Sequence, residues 1–153
     1  MKVYYNSKLA KALTFFANFS TIMLCGAVFT EHSELSERTK YHEAVHVEQY
    51  QTLFTAGLAL AVSIMFTCFA FNAVGWWMLS LIALPVFLFY AWYGIEFLVR
   101  MCIYRDRDKA YRMIAFEQEA YDLQDEYRKP CPERRAASSF SFLRYYSFKS
   151  GKI

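Results

Sequence analysis

Cysteine is scarce in this chain and carries no pattern: Cys25, Cys68, Cys102 and Cys131 form no CxxC pair and no metal-ligand spacing. A thiolate metal site and a disulfide framework are therefore not expected. Cys68 and Cys102 sit in or beside apolar runs and read as small hydrophobes. Internal repeats, a glycine-rich phosphate loop and a serine nucleophile motif are also missing, so neither P-loop nucleotide binding nor serine hydrolysis has a footing. Histidine is rarer still, with three residues in all. From Glu37 to Phe71 there is no proline and a single glycine, so nothing there obliges a helix to stop.

What the chain has in excess is apolar surface. Hydrophobic residues make up 56% and aromatics 20% of its 153 positions, more than a single soluble domain of this length can bury within itself. The nineteen residues Leu53 to Phe71 carry no charge and are long enough to cross a bilayer. After a short uncharged turn, Asn72 to Gly75, a second span runs over 76–104, with Trp76 and Trp77 at one boundary and Trp92 and Tyr93 toward the other. Pro85 is expected to kink it. Every lysine and arginine lies outside the hairpin turn, and 12 of the 17 fall from Arg100 onward, so the positive-inside rule puts both flanks in the cytoplasm. Glu96 and Arg100, four residues apart in the second span, should pair with each other.

Two of the three histidines stand in one short stretch, Lys40-Tyr41-His42-Glu43-Ala44-Val45-His46. On a helix His42 and His46 share a face, so both imidazoles reach one Zn²⁺, with Glu43 beside them as general base toward an attacking water. This is the HExxH pattern of the zincins. Ser36 followed by Glu37 reads as the N-cap of the helix that carries it, and one helix over 37–71 is expected to start polar and end embedded. His32, in the loop 31–36, reads as a solvated histidine.

Ahead of the motif, residues 1–18 read as an amphipathic segment on the membrane surface, and 19–30 as an edge strand of about ten residues. The alternative, a third span over 12–30, would strand Lys2, Lys8 and Lys11 on the far side. Beyond the hairpin, a charged break at 105–109 leads into a helix over 109–128, exposed on one side and stopped at Lys129-Pro130-Cys131-Pro132. The tail over 133–153 alternates basic and aromatic residues, which suits an anionic membrane face rather than nucleic acid. A third metal ligand is needed, and the second helix offers Glu117 and Glu119. At about 1.5 Å rise per residue His46 stands roughly 10 Å before the first span and Glu117 roughly 20 Å after the second, and the charged break at 105–109 can absorb the difference and bring Glu117 up to the histidines.

HExxH, then a hydrophobic hairpin, then a helix with Glu117-Gln118-Glu119-Ala120 resembles the layout of the integral-membrane gluzincin peptidases related to HtpX and the CAAX prenyl proteases. The resemblance covers roughly residues 20–127 and implies Glu117 as third zinc ligand beside His42 and His46, with Glu43 as the catalytic residue. Tyr121 stands where those enzymes carry an aspartate behind a zinc histidine.

The expected fold is thus one mainly α membrane domain, a transmembrane helical hairpin whose cytoplasmic extensions carry a zincin-like site behind a short edge strand. Its expected function is hydrolysis of a peptide or membrane-protein substrate at the cytoplasmic face of a bacterial inner membrane. His32, Arg112 or a tail tyrosine are open as stabilisers of the oxyanion. A non-catalytic zinc-binding scaffold or sensor is the alternative. A di-iron carboxylate site is disfavoured, because Glu43 to His46 supplies one ExxH and the remaining His32 cannot supply another.

Overall fold

The structure, a computed structural model, describes residues 1–14 and 20–146. Helix α2, Glu37–Ala70, begins where Ser36 in extended geometry accepts a hydrogen bond from Thr39 N at 3.1 Å, and Glu37 places a negative charge in the first turn. At 34 residues it runs for about 51 Å, continuous through the motif and the uncharged stretch. Asn72, with φ 53°, turns the chain back.

The return arm starts as a 3-10 helix, Trp76–Ile82, and becomes helix α3 at Ala83–Tyr104. Pro85 therefore sits in the first turn of α3, where its missing N–H breaks no helical hydrogen bond. The helix type changes from 3-10 to α just before the proline. Pro85 lies against Gly57, where an added Cβ would stand 2.8 Å from Pro85 Cα. Tyr50 meets Phe89 and Tyr90 at ring-centroid distances of 6.0 and 5.8 Å, so the two helices run antiparallel. Both arms are long and apolar enough to cross a membrane, and within each arm's most apolar window only 17% of residues are buried in the molecule. A soluble core helix would be covered, whereas here Phe66, Phe71, Trp76, Ile82, Ile95 and Leu98 stand out from the surface.

Three short strands cap the hairpin's polar end: β1, Lys2–Tyr4; β2, Thr21–Leu24; and β3, Ala27–Thr30, in the order β1-β3-β2. The expected single strand over 19–30 is a β-hairpin. Cys25 and Gly26 take φ of 49° and 78°, the two-residue turn that matches strand twist, and Leu24 closes on Ala27. The hairpin disposes of a third span over 12–30. β1 pairs parallel with β3, so the expected amphipathic segment opens as a strand before helix α1, Lys8–Thr14. Residues 15–19 of those two elements lie outside the described residues.

Beyond Arg105, which is left-handed at φ 52°, Asp106 caps helix α4, Arg107–Arg112, by accepting from Lys109 N at 3.0 Å. The expected helix over 109–128 is split here. Ala115 N donates to Glu96 Oε1 at 2.9 Å, so a buried carboxylate captures the first N–H of a new helix, α5, Ala115–Leu123. Glu96 also pairs with Arg100 at 3.1 Å. As expected of a helix exposed on one side, α5 leaves Tyr121 and Asp122 at the surface, while it buries Ala115, Phe116, Glu117, Glu119, Ala120 and Leu123.

The aromatic core explains that burial. Phe116 packs on Phe142 at 4.4 Å, on Phe89 at 5.1 Å and on Tyr93 at 6.1 Å between ring centroids. Phe142 comes from a 3-10 turn, Ser141–Tyr146, whose Tyr146 hydroxyl donates to Glu96. Phe142 and Tyr146 thus tie the described part of the tail to the core, and residues 147–153 lie outside the described residues. Truncating Phe116 to alanine would cost about 3–5 kcal/mol.

Candidate metal centre

Helix α2 places His42, Glu43 and His46 on the turn just before its apolar stretch, and α5 crosses that turn with Glu117 facing it. His46 Nε2 lies 3.1 Å from Glu117 Oε1 and 3.2 Å from His42 Nε2, and His42 Nε2 lies 3.4 Å from Glu117 Oε2. The three residues are close enough to hold one metal ion between them. Glu117 is 1% exposed, and its Oε2 accepts no hydrogen bond. A buried carboxylate oxygen without a donor is costly, and a cation between the three side chains removes that cost.

The charge state of the cation-free site follows from its burial. Burial alone lowers the affinity of the His46 imidazole for a proton, but the Glu117 carboxylate and its hydrogen bond reverse this and bring His46 up to about 9. Burial pushes Glu117 the other way from its partner's influence, and the nearby histidines win, holding its carboxyl well below the ordinary carboxylate range. In a cation-free site a proton on His46 therefore stands in for the metal. Glu43 is 8% exposed, and burial raises its carboxyl despite the opposing pull of His46 and His42.

Three residues that sequence analysis passed over complete the surroundings. Gln49 Nε2 donates to Glu119 Oε2 at 2.8 Å and to Phe116 O at 3.0 Å, so its Oε1 faces His46 Nδ1 at 2.9 Å. That arrangement makes Nδ1 the donor and aims Nε2 at Glu117. Glu119, the rival candidate for third ligand, is thus placed behind the histidine, where it holds Gln49. Tyr93 donates to Glu117 Oε1 at 2.8 Å, and Tyr111 stands against both Glu117 and Tyr93. Gln49 follows His46 by one helical turn, a spacing visible in the sequence. Tyr93 and Tyr111 carried no such signal, because only the packing of α3 and α4 on α5 brings them in. Tyr121 lies with its ring 4.9 Å from the His42 ring, tilted over it.

His32 and the tail tyrosines are bonded elsewhere. His32 exchanges a 2.6 Å hydrogen bond with Ser20 beside the start of the strand hairpin. Tail residues Tyr145 and Tyr146 bond Asp122 and Glu96, so neither is brought to the three ligand atoms, whereas Arg112, the last residue of α4, lies within electrostatic reach of Tyr121.

A cleft of about 240 Å³ opens onto the site, lined by Thr21 to Leu24 of β2, by Phe89, Tyr90, Tyr93 and Tyr111, and by Glu43, His46 and Glu117. Among the described residues strand β2 is an edge that pairs with β3 alone. The register, with Leu24 and Ala27 flanking the two-residue turn, leaves the backbone groups of Thr21 and Met23 directed away from β3. No protein family, curated protein or solved structure matches the chain.

Proposed function

We propose that the protein is a membrane-embedded zinc metallopeptidase that hydrolyses peptide bonds beside the cytoplasmic face of the membrane. The observation that carries it is the convergence of His42, His46 and Glu117 on one point, with Glu43 buried beside them and an open strand edge along the same cleft. Zinc is favoured by the donor set of two imidazoles and a carboxylate. The separations fit as well. A tetrahedral ion with bonds of about 2.0–2.1 Å separates its ligand atoms by about 3.3–3.4 Å, against 3.1, 3.2 and 3.4 Å between the atoms here.

Bound by these three side chains, zinc would supply Lewis acidity toward the scissile carbonyl and acidify a water. Glu43 then takes the proton of the attacking water on its carboxylate and passes it to the departing amine. Strand β2 receives the peptide in extended form through the backbone of Thr21 and Met23. The bilayer on both sides of the hairpin, with the lysines and arginines of both flanks left in the cytoplasm, makes a protein anchored in or lying on the inner membrane the natural substrate.

Glu43→Gln is the decisive variant. It should keep one zinc per chain and lose about 10²–10⁴-fold in hydrolysis of an unstructured protein substrate in detergent. Full activity in that variant would end the proposal. One observation favours the alternative of a non-catalytic zinc-binding scaffold or sensor: the Tyr93 hydroxyl, a donor beside the ligands, is already committed to Glu117. Stoichiometric zinc with no cleavage of any substrate by the unaltered chain would decide for it.

A further inference from the structure

Glu96 on α3 is a buried carboxylate that stands in neither the metal centre nor its cleft. Arg100, one helical turn along, donates to its Oε1 from Nε and Nη2 at 3.3 and 3.1 Å. Two further partners come from far along the chain. Ala115 N, nineteen positions on, donates to Oε1 at 2.9 Å, and the Tyr146 hydroxyl, fifty positions on, donates to Oε2. Tyr146 in turn accepts from Trp92 Nε1 at 2.7 Å. One carboxylate thus holds Arg100, the first residue of α5 and the turn that carries Phe142.

Helix α5 depends on that hold. It has nine residues, fewer than the about 12–15 below which an isolated helix is marginal in water. Its N-cap is Ile114, whose side chain makes no capping bond, so Glu96 supplies an acceptor and places negative charge at the positive end of the helix. Glu117 follows Ala115 by two residues within the same helix, and no loop lies between them to absorb a shift. Ligand sets need their members held to about 0.5 Å. The bond at Ala115 N therefore governs where the Glu117 carboxylate meets the histidines of α2. Glu96 acts from outside the cleft: with Trp92, Arg100 and Tyr146 it lines a separate groove of about 460 Å³, which shares no lining residue with the cleft at the metal centre.

We infer that Glu96 is a positioning residue of the metal centre: its carboxylate oxygen, through Ala115 N, sets α5 where Glu117 meets His42 and His46, and the hydrogen bond rather than the charge does so. The inference rests on the zinc-binding half of the proposed function and not on peptide hydrolysis.

Two variants separate the hydrogen bond from the charge. Glu96→Gln made together with Arg100→Met keeps an oxygen within reach of Ala115 N, carries no charge, and leaves no buried charge unpaired. Glu96→Asp keeps the charge for Arg100 but falls one methylene short of Ala115 N. Zinc affinity of the full chain in detergent, read by competition against a chelator, should stay within about threefold of the unaltered chain in the first and fall at least about tenfold in the second. With Co²⁺ in place of zinc, the visible absorption should match the unaltered chain in the first and change in band shape in the second, because it follows ligand geometry. Hydrogen exchange at the start of α5 should be slow in the first and fast in the second, and unfolding temperatures show that both are folded. Equal loss of affinity in both variants overturns the inference, and so does loss in the charge-free variant alone. Zinc binding by Glu96→Asp as tight as in the unaltered chain overturns it too. An unaltered chain that takes up no zinc ends the zinc reading and this inference with it, whereas fast exchange at the start of α5 in a zinc-loaded unaltered chain ends this inference alone.

Discussion

Gln49 on α2 and Glu119 on α5 are joined by a 2.8 Å hydrogen bond from Nε2 to Oε2, and through it the two helices fix the ring of His46. Amide and carboxylate are both buried, so each holds the other in place. The histidine is thus oriented by an amide one turn along its own helix, with a carboxylate from α5 set behind that amide.

Gln49→Leu removes that support while keeping the volume near its original value. The His46 ring loses its acceptor at Nδ1, and Glu119 loses its donor. Zinc affinity should fall about 10- to 100-fold, the range for loss of a hydrogen bond behind a metal ligand, with the limiting stoichiometry kept at one per chain. Competition against a chromogenic chelator reads both. Unchanged affinity would mean that Gln49 does not orient the ring.

The proton that occupies the cation-free site sets a pH dependence of known sign. His46 is raised from 6.5 to about 9, so the ion pair with Glu117 contributes in full below pH 6.5 and is lost as pH climbs through 9. The metal-free chain should therefore lose stability over that interval, on the order of 3 kcal/mol. Zinc displaces the same proton, so its apparent affinity should rise up to about tenfold per pH unit below 9. Thermal unfolding in detergent with and without chelator, at pH 6, 7.5 and 9, checks both. A metal-free chain that grows more stable over this range would contradict the assignment.

Much of this arrangement could be read from the residues, and the parts that could not have a common cause. Long uncharged runs and a capped start define α2 and the return arm, because helix length and hydropathy are local properties. The HExxH spacing is local too, which is why His42, Glu43 and His46 could be named. The break between α4 and α5 could not be foreseen, since it is made by Glu96, a residue nineteen positions away that takes Ala115 N. Phe142 in the core, β1 beside β3, and Tyr93 against Glu117 are likewise long-range contacts with no periodic signature. The strand hairpin was the exception. Cys25-Gly26 is a turn signal that the surrounding apolar run concealed.

Tyr93→Phe isolates the one hydroxyl that α3 contributes to the ligands. Glu117 Oε1 would keep His46 and lose a 2.8 Å donor, so the carboxylate should swing more freely and zinc should bind about tenfold more weakly, less than for Gln49→Leu. The aromatic contact with Phe116, at 6.1 Å between centroids and nearly parallel, is retained. Unfolding of the zinc-free chain should therefore change little. An equal loss of stability and zinc affinity would point to a packing role alone.

Gly57 tests whether the crossing of the two arms governs the site at a distance. An added Cβ would stand 2.8 Å from Pro85 Cα and 3.2 Å from Pro85 N, both backbone atoms that cannot rotate away. Gly57→Ala must therefore push α3 off α2, at a cost of about 1–3 kcal/mol. Small residues at such crossings are what let transmembrane helices approach each other. Gly94, about one turn beyond Tyr90 on α3, has nothing within 4 Å of its added Cβ, so Gly94→Ala should be neutral or stabilising by up to about 1 kcal/mol. Because α3 also carries Tyr93 against Glu117, the Gly57 variant should weaken zinc binding although the mutated residue lies three helical turns from His46. Thermal unfolding and zinc titration of the two variants side by side read the outcome. Equal behaviour of the two would show that the close approach at Pro85 does not hold the arms together.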